Sequence, residues 1–174
     1  YGVTKCSAEQ LVRLYHRNFG LPTVSLRFFT VYGPGQRPDM AFHKFFKAIL
    51  EGREIPVFGD GSQTRDFTYV DDIVDALIRA ERTAPAGEVY NVGGGHRERL
   101  SSLFALFGKI TGLAVNVRTL ARQKGDAPHT FASILKAERD LGYAPKTALR
   151  DGLEREWAYV RDLYGGRRRS PTQG

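Results

Sequence analysis

A tyrosine and a lysine at the start of the chain have side chains that could transfer a proton. Tyr1 and Lys5 stand in the stretch YGVTK, and residues four apart in a helix lie on one face, about one turn from each other. A phenol, with an ordinary pKa of about 10, is a poor base at neutral pH, but a neighbouring cation favours its phenolate. Because the same spacing occurs on surface helices without a catalytic role, the pair alone is only a hypothesis.

Two other features that could carry chemistry have simpler explanations. The glycines 93–95 lack both the G-x-G-x-x-G spacing and the Lys-Ser/Thr of a phosphate loop, so we predict a strand-to-helix turn that needs small residues. Cys6 is the only cysteine, which excludes an internal disulfide and a multi-cysteine metal site. We expect Cys6 to be a small buried apolar residue, and we predict no metal.

The composition indicates a globular protein. The chain has 174 residues, of which 41% are hydrophobic and 26% are charged, values typical of folded domains. No apolar run approaches the roughly 18 residues that span a bilayer, and the first residues lack the pattern of a signal peptide. We therefore expect a cytoplasmic protein with no membrane partner.

The net charge of +7 is consistent with an anionic partner. Part of the excess lies in Arg167, Arg168 and Arg169, within a tail, residues 165–174, that we expect to be disordered. The other basic residues are scattered among acids, without the basic-aromatic interleaving of a nucleic-acid surface. We therefore predict a small phosphorylated ligand and no nucleic-acid partner.

The helices and strands that must position these residues alternate along the chain. Apolar spacing predicts helices in GVTKCSAEQLVRLYHRN, MAFHKFFKAILE, DDIVDALIRAE, LSSLFALFGKITG, SILKAERDLGY and LEREWAYVRDLY. β-branched and aromatic residues predict one buried strand in TVSLRFFTVYG and further strands in IPVF, RDFTYV, EVYNV and VNVRTL. This alternation predicts an α/β protein, although the chain begins without the glycine-rich strand-turn-helix that binds a dinucleotide pyrophosphate.

Five motifs, in this order, resemble the extended short-chain dehydrogenase/reductase family, in its NAD-dependent nucleotide-sugar epimerase and dehydratase branch. The motifs are YGVTK, LRFFTVYGPGQRPDM, VFGDGSQTRDFTYVDDIVDA, YNVGGG and GDAPHTFASILKAERDLGYAPKTAL. The resemblance implies the C-terminal part of a Rossmann-like fold with a smaller α/β substrate-binding lobe. Residues 1–35 would be the last helix-strand unit of the NAD-binding domain, and residues 36–164 mainly the nucleotide-sugar lobe.

The resemblance implies that Tyr1 is the base that removes a proton from a sugar hydroxyl, with NAD as the cofactor that carries the hydride chemistry. Lys5 would lower the pKa of Tyr1 and bind the nicotinamide ribose, and Phe29 would end the strand that reaches the nicotinamide. The helix after Tyr1 typically contributes to a homodimer interface in this family, through an apolar stripe that could equally be core. That stripe is Leu11, Leu14 and Tyr15.

The same resemblance implies that two parts of the chain bind the diphosphate of a UDP-sugar. Arg65, in QTRDF, would pair with the diphosphate through its guanidinium fork; the alternative is a surface salt bridge with Asp66 or Asp60. Met40 and Ala41 would open a helix whose N-terminal amides face the phosphates.

The sugar and the uridine would contact another set of residues. Thr30 stands where related enzymes place an Asn or Thr close to the sugar. Val57 and Phe58 match the short strand that lies along the uracil, and Asp126 matches the acid near the uridine ribose.

Arg37 distinguishes the branches of the family. The stretch FFTVYGPGQRPDMAFHKF is most similar to UDP-glucuronate 4-epimerases, in which the arginine before Pro-Asp-Met faces the substrate carboxylate. A guanidinium can bind a carboxylate through two parallel hydrogen bonds, which would distinguish a uronic acid from a neutral hexose. The alternative is a loop arginine exposed to solvent.

The sequence also departs from the family pattern. Gln123 replaces an Arg that binds phosphate in many hexose epimerases, which fits the uronate branch better, and Pro128 replaces an Arg found in some relatives. The glycine-rich fingerprint and the Ser/Thr of the catalytic set should precede residue 1, and we expect an isolated chain to be inactive.

The predicted function is therefore 4-epimerisation of a UDP-sugar within a longer NAD-dependent enzyme, and the substrate we predict is UDP-glucuronate, converted to UDP-galacturonate through a 4-keto intermediate. The alternatives are a UDP-glucose or UDP-N-acetylhexosamine 4-epimerase, or a decarboxylase or 4,6-dehydratase on the same fold. Taken alone, the chain could instead be a noncatalytic lobe that binds nucleotide sugars.

Overall fold

Six helices and eight short strands make up the part of the chain that the computed structural model describes, residues 1–122, 125 and 127–165. The helices are α1 (Gly2–Phe19), α2 (Ala41–Leu50), α3 (Val70–Thr83), α4 (Leu100–Thr111), α5 (Leu135–Leu141) and α6 (Leu149–Gly165). The strands are β1 (Ser25–Phe28), β2 (Val31–Tyr32), β3 (Ile55–Phe58), β4 (Thr64–Arg65), β5 (Thr68–Tyr69), β6 (Val89–Val92), β7 (Glu98–Arg99) and β8 (Val117–Leu120).

The strands associate in four pairs. β1 runs parallel to β6, β2 to β5 and β3 to β8, whereas β4 and β7 are antiparallel. Parallel neighbours need a long crossover, so each of these pairs joins segments that are distant in the sequence. The result is a mixed α/β structure, as predicted.

Two hydrophobic cores hold these elements together. The first is mainly aromatic and lies where α2, α4 and α6 meet β2, β3 and β5, with Phe42, Phe46 and Phe107 almost fully buried. The second lies between α3, α5 and β6, around Tyr90 and Tyr143. The aromatic residues of the first core pack at edge-to-face or tilted angles, which favours a fixed arrangement of α2 against α6.

Helix α1 contacts the rest of the chain differently. None of its residues is buried, and the predicted stripe of Leu11, Leu14 and Tyr15 is 48–55% exposed, so this stripe is not part of either core. The prediction that Cys6 is buried is wrong, because its thiol lies on this open helix and is exposed.

The predicted single strand at TVSLRFFTVYG is in fact two short strands. It is interrupted between β1 and β2, at Phe29 and Thr30, because each strand pairs with a different partner. Arg27 and Phe28 are exposed, so the prediction of a fully buried strand is also wrong.

Buried carboxylates tie loops to the cores. Asp66 is fully buried and accepts hydrogen bonds from the backbone N–H groups of Gly94 (2.6 Å) and Ala132 (3.1 Å). Asp72 likewise accepts from the N–H groups of Lys146 (3.0 Å) and Thr147 (3.2 Å). Such bonds satisfy carboxylates that would otherwise be costly to bury.

The glycine cluster forms a turn, here between β6 and β7, where small residues are required. A Cβ atom at Gly94 would collide with the carbonyl oxygen of Phe67. Close packing therefore explains the small residues, but the predicted strand-to-helix turn is wrong, because the glycines connect two strands and β7 precedes α4.

Candidate active site

Tyr1 and Lys5 lie on one face at the beginning of α1. The N–H of Lys5 donates to the carbonyl oxygen of Tyr1 (3.1 Å), which is the helical spacing that the sequence predicted. The Lys5 Nζ atom lies 5.5 Å from the centroid of the Tyr1 ring. Tyr1 as a whole is 93% exposed.

Arg37 faces the same cavity as Tyr1. This cavity, of about 400 Å³, is bounded by Tyr1, Val70 and the loop from β2 to α2. Val31 and Tyr32 of β2 line it together with the loop residues Gly33, Pro34, Gly35, Gln36, Arg37 and Met40. The structure therefore brings together a phenol and a guanidinium that are 36 residues apart in the sequence.

The Arg37 side chain is 74% exposed at the mouth of this cavity. Its Nη2 atom lies 3.1 Å from Oδ2 of Asp39 and 3.7 Å from Sδ of Met40. A guanidinium has five N–H donors, so this contact leaves donors for a second carboxylate.

A second tyrosine in this cavity is not suited to act as a base. Tyr32 is buried, and its hydroxyl donates to the carbonyl oxygen of Leu149 (3.4 Å). Burial, and after it the charge of Glu156, raises the pKa of Tyr32 above its ordinary value, so the phenol stays protonated at neutral pH. Of these two tyrosines, Tyr1 is the one whose hydroxyl is accessible.

The loop that carries Arg37 is held by Gln36. The Gln36 Nε2 atom donates to the carbonyl oxygen of Val31 (2.9 Å), and its Oε1 atom accepts from the N–H of His43 (3.0 Å) in the first turn of α2. The backbone adds two turns, with the Gln36 N–H bonded to the Gly33 carbonyl and the Met40 N–H to the Arg37 carbonyl, both at 3.0 Å. This loop is therefore shaped by its own hydrogen bonds.

Glu156 is a functional candidate that the sequence reasoning missed. It is fully buried on α6, and its Oε2 atom accepts a hydrogen bond from the N–H of Gly33 (3.0 Å). Burial raises the pKa of Glu156 to about 8, although the hydrogen bond from Gly33 acts in the opposite direction. The available signal was its spacing: Glu156 is three residues after Leu153 and four before Val160, on the apolar face of a helix.

A second cavity, of about 520 Å³, brings together three other predicted residues. Ala41, Val57 and Phe58 line it, with Lys44 and Arg53. The Val57 side chain itself is in the core, whereas Phe58 is 37% exposed, so Phe58 presents the ring. Cations and an aromatic ring at one surface suit a phosphorylated nucleotide.

The two cavities share one boundary, at the beginning of α2. Met40 lines the first cavity and Ala41 the second. The N–H of His43 is already bonded to Gln36, so the first-turn amides of Ala41 and Phe42 remain for an anion at this helix N-terminus.

A groove between α1 and β1 meets the first cavity at Tyr1. It has a volume of about 650 Å³ and is lined by Tyr1, Lys5, Phe28 and neighbouring residues of both elements. An ion pair crosses it, with Arg27 Nε and Nη2 each 2.7 Å from a carboxylate oxygen of Glu9. Within the described residues β1 pairs with β6 alone, so its other edge is open to this side.

Three predicted site residues, Phe29, Thr30 and Arg65, lie outside the two cavities. Phe29 packs against the second core and Thr30 bonds through its carbonyl oxygen to the Thr68 N–H (2.9 Å); neither lines either cavity. Arg65 Nη1 donates to the carbonyl oxygens of Thr64 (2.9 Å) and Pro128 (3.4 Å), outside both linings. Asp126 and Gln123 lie outside the described residues. The tail predicted to be disordered, residues 165–174, also lies outside them except for Gly165, for which the prediction is wrong because it is the last residue of α6.

The described residues contain neither a metal-binding cluster nor a helix that could cross a membrane. In the described ranges, no group of three or more His, Cys, Asp or Glu side chains could hold a metal ion. None of the helices in those ranges combines the length and the apolar character that crossing a bilayer requires.

Known proteins resemble the chain over nearly all of its length. An uncharacterized UDP-glucose epimerase of Bacillus subtilis is 45% identical over 167 residues, which cover 95% of this chain and 53% of the relative. The UDP-glucuronic acid 4-epimerase of Bacillus cereus, solved with UDP-glucuronic acid and NAD, is 46% identical with a TM-score of 0.91, covering 94% of this chain and 53% of that one. The UDP-glucose 4-epimerase of Thermotoga maritima, solved with UDP-glucose, is 35% identical with a TM-score of 0.90, covering 94% and 53%.

The chain thus spans about half the length of the relatives that it matches. Their folds confirm the predicted fold class, a Rossmann-like α/β structure. The model of the NAD dependent epimerase/dehydratase family matches residues 1–93, more than half of the sequence. The chain therefore belongs to the NAD dependent epimerase/dehydratase family.

Proposed function

We propose that the protein containing this chain is an NAD-dependent UDP-sugar 4-epimerase that converts UDP-glucuronate to UDP-galacturonate. The observation that carries the proposal is that Tyr1 and Arg37 line one cavity, so a proton acceptor and a carboxylate-binding group face the same space. The similarity to an epimerase solved with UDP-glucuronic acid and NAD supports the same substrate and cofactor.

Tyr1 is the base in this proposal. Its hydroxyl oxygen, as the phenolate, takes the proton from the C4 hydroxyl of the sugar and later returns it, while Lys5 stabilises the phenolate. The sugar is a 4-ketone between these two steps, and rotation of its ring within the site exposes the other face of C4. Arg37 binds the C6 carboxylate through the donors that Asp39 leaves free and keeps that end of the sugar in place.

The nucleotide end binds at the second cavity. The first-turn amides of α2, from Ala41 onward, bind the diphosphate there. Arg65, which lines neither cavity, is assigned to the diphosphate by resemblance alone. Phe58 and the backbone at Val57 contact the uracil. Asp126 binds the uridine ribose and Thr30 the sugar, both by resemblance alone.

The residues that would hold NAD fit its nicotinamide end. Tyr1 and Lys5 line the groove between α1 and β1, where Lys5 is available to bind the nicotinamide ribose, whereas Phe29 packs into a core and offers only its backbone. When bound, NAD supplies the acceptor and donor of the C4 hydride.

We further propose the domain division that the resemblance implied. Residues 1–35 complete an NAD-binding domain whose remainder precedes them in the full protein, and residues 36–164 form mainly the nucleotide-sugar lobe. The open edge of β1 and the exposed α1 support this division. The apolar stripe of α1 is then the contact surface of a homodimer.

The test is to give the full-length protein UDP-glucuronate with NAD and to identify the sugar products. We expect UDP-galacturonate, and we expect Arg37→Met to abolish the preference for UDP-glucuronate over UDP-glucose. A UDP-pentose product would show a decarboxylase, and epimerisation of UDP-glucose alone would show a neutral-hexose epimerase.

Calorimetry on the 174-residue chain separates the enzyme from a noncatalytic lobe. We expect weak binding of UDP and none of NAD by this chain, with NAD binding restored in the full-length protein. If the full-length protein also fails to bind NAD, the chain belongs to a binding protein.

A further inference from the structure

We propose that Glu156 is a positioning residue: its buried carboxyl group fixes the loop that carries Arg37 and so sets the selectivity for a substrate carboxylate. The inference deepens the proposed function and rests on it for the identity of the substrate. It concerns a residue on α6 that lines neither of the two cavities.

The first step is the contact itself. Glu156 has no exposed surface, and its Oε2 atom accepts the Gly33 N–H at 3.0 Å, while Oε1 has no hydrogen-bond partner among the described residues. An apolar side chain would fill this place on the inner face of α6 at lower cost, since a carboxyl group loses its hydration when buried. Because burial raises its pKa to about 8, the group is mainly neutral at pH 7 and needs no cation.

The second step is the path from Glu156 to Arg37. Gly33 has a φ of +135°, a conformation that side chains with a Cβ atom rarely adopt, and its N–H points into the core toward Glu156. Its carbonyl oxygen accepts the N–H of Gln36, the residue before Arg37. Glu156 therefore holds the N–H side of Gly33, the residue whose carbonyl group closes the next turn of the loop.

The position of the Arg37 guanidinium is set mainly by the backbone of its own loop. It is 74% exposed, and its contacts are to Asp39 and Met40 of the same loop. Gln36 ties this loop to α2, and Glu156 ties its other end to α6. With Glu156 removed, one of these two attachments is lost, and the guanidinium samples more positions relative to Tyr1.

The experiment compares Glu156→Leu, Glu156→Asp and Glu156→Gln in the full-length enzyme. Kinetics are measured with UDP-glucuronate and with UDP-glucose, and amide hydrogen exchange is measured over residues 33–37. Glu154→Leu is the matched control, because Glu154 lies on the same helix but is exposed and pairs with Arg150.

We expect Glu156→Leu to raise KM for UDP-glucuronate about tenfold, with kcat and the UDP-glucose constants changed less than twofold. Glu156→Asp shortens the side chain by one methylene and so withdraws the acceptor from the Gly33 N–H. It should raise KM for UDP-glucuronate by a smaller factor, again with little change for UDP-glucose. This variant also serves as the test if Glu156→Leu fails to fold. Glu156→Gln keeps an oxygen for the Gly33 N–H and should restore the parent values. Exchange at residues 33–37 should rise in parallel with KM.

The proposal would be overturned if the Glu156 variants raised KM equally for UDP-glucuronate and UDP-glucose. It would also be overturned if amide hydrogen exchange at residues 33–37 were unchanged in both the Leu and Asp variants. If the parent enzyme does not act on UDP-glucuronate, the proposed function fails separately. Exchange then decides the remaining question: a faster rate at residues 33–37 in the Leu and Asp variants still supports Glu156 as the residue that positions the loop, and an unchanged rate refutes it.

Discussion

Replacing Glu156 by glutamine should change how the stability of the protein depends on pH. Burial raises the pKa of Glu156 from 4.5 to about 8, so the folded state holds a proton that the unfolded state releases at lower pH. The stability from this proton is fully present below the unfolded value and is lost as pH rises through the folded value. Each unit of difference in pKa is about 1.4 kcal/mol, so the free energy of unfolding should fall by roughly 4 kcal/mol between pH 5 and pH 9.

Glutamine has the shape of the protonated carboxyl group and does not titrate in this range. The two proteins should therefore have similar stability at pH 5, and the glutamine variant should be more stable by roughly 4 kcal/mol at pH 9. Urea denaturation followed by circular dichroism at five pH values measures the difference. Glu154→Gln, on the exposed side of the same helix, should follow the parent curve.

The difference in the free energy of unfolding between the parent and Glu156→Gln, taken at each pH, cancels the contributions of the other titrating groups, which both proteins share. Among them, burial lowers the pKa of His43, which acts in the opposite direction below neutral pH. If the difference between parent and Glu156→Gln stays constant from pH 5 to pH 9, the buried carboxyl is not protonated and the reasoning is wrong.

Three further predictions concern other parts of the chain. Tyr1→Phe in the full-length enzyme should lower kcat for UDP-sugar epimerisation by about 10²- to 10⁴-fold with little change in KM, measured by product analysis; a loss below tenfold would exclude Tyr1 as the base. Gly94→Ala should cost roughly 1 to 3 kcal/mol in urea denaturation because its Cβ meets a backbone carbonyl, whereas Gly2→Ala, with open space around it, should not destabilise; equal effects would contradict the packing argument. Arg27→Ala should cost about 0.5 to 1 kcal/mol at pH 7 and progressively less as pH falls through the lowered pKa of Glu9, because Arg27 lowers that pKa and the stabilisation is lost on protonation; a cost that persists at low pH would show that packing, not charge, is responsible.

Local patterns in the sequence were sufficient to predict the elements that carry the candidate site. The apolar spacing of MAFHKFFKAILE predicts α2, and the same principle places Tyr1 and Lys5 on one face of α1. These predictions succeed because a helix fixes the relation between residues three and four apart.

Contacts between distant segments were not predictable in this way. Glu156 bonds to a backbone N–H that is 123 residues away, and Asp66 joins two segments through Gly94 and Ala132. The exposure of Cys6 was missed for a related reason, since an amphipathic pattern shows which face is apolar but not whether anything covers it. Packing between elements decides both.

Arg37 and Ala41, which line the two cavities proposed for the two ends of the substrate, are close together in the sequence. Arg37 lines the first cavity, proposed for the sugar, and Ala41 the second, proposed for the nucleotide, with three residues between them. An insertion or deletion in this turn would change the distance and direction from Arg37 to the start of α2 and would misalign both ends together. Under the proposed function, a substitution at position 37 would change the sugar that is accepted without changing the spacing between the two cavities, which the nucleotide end of every UDP-sugar requires.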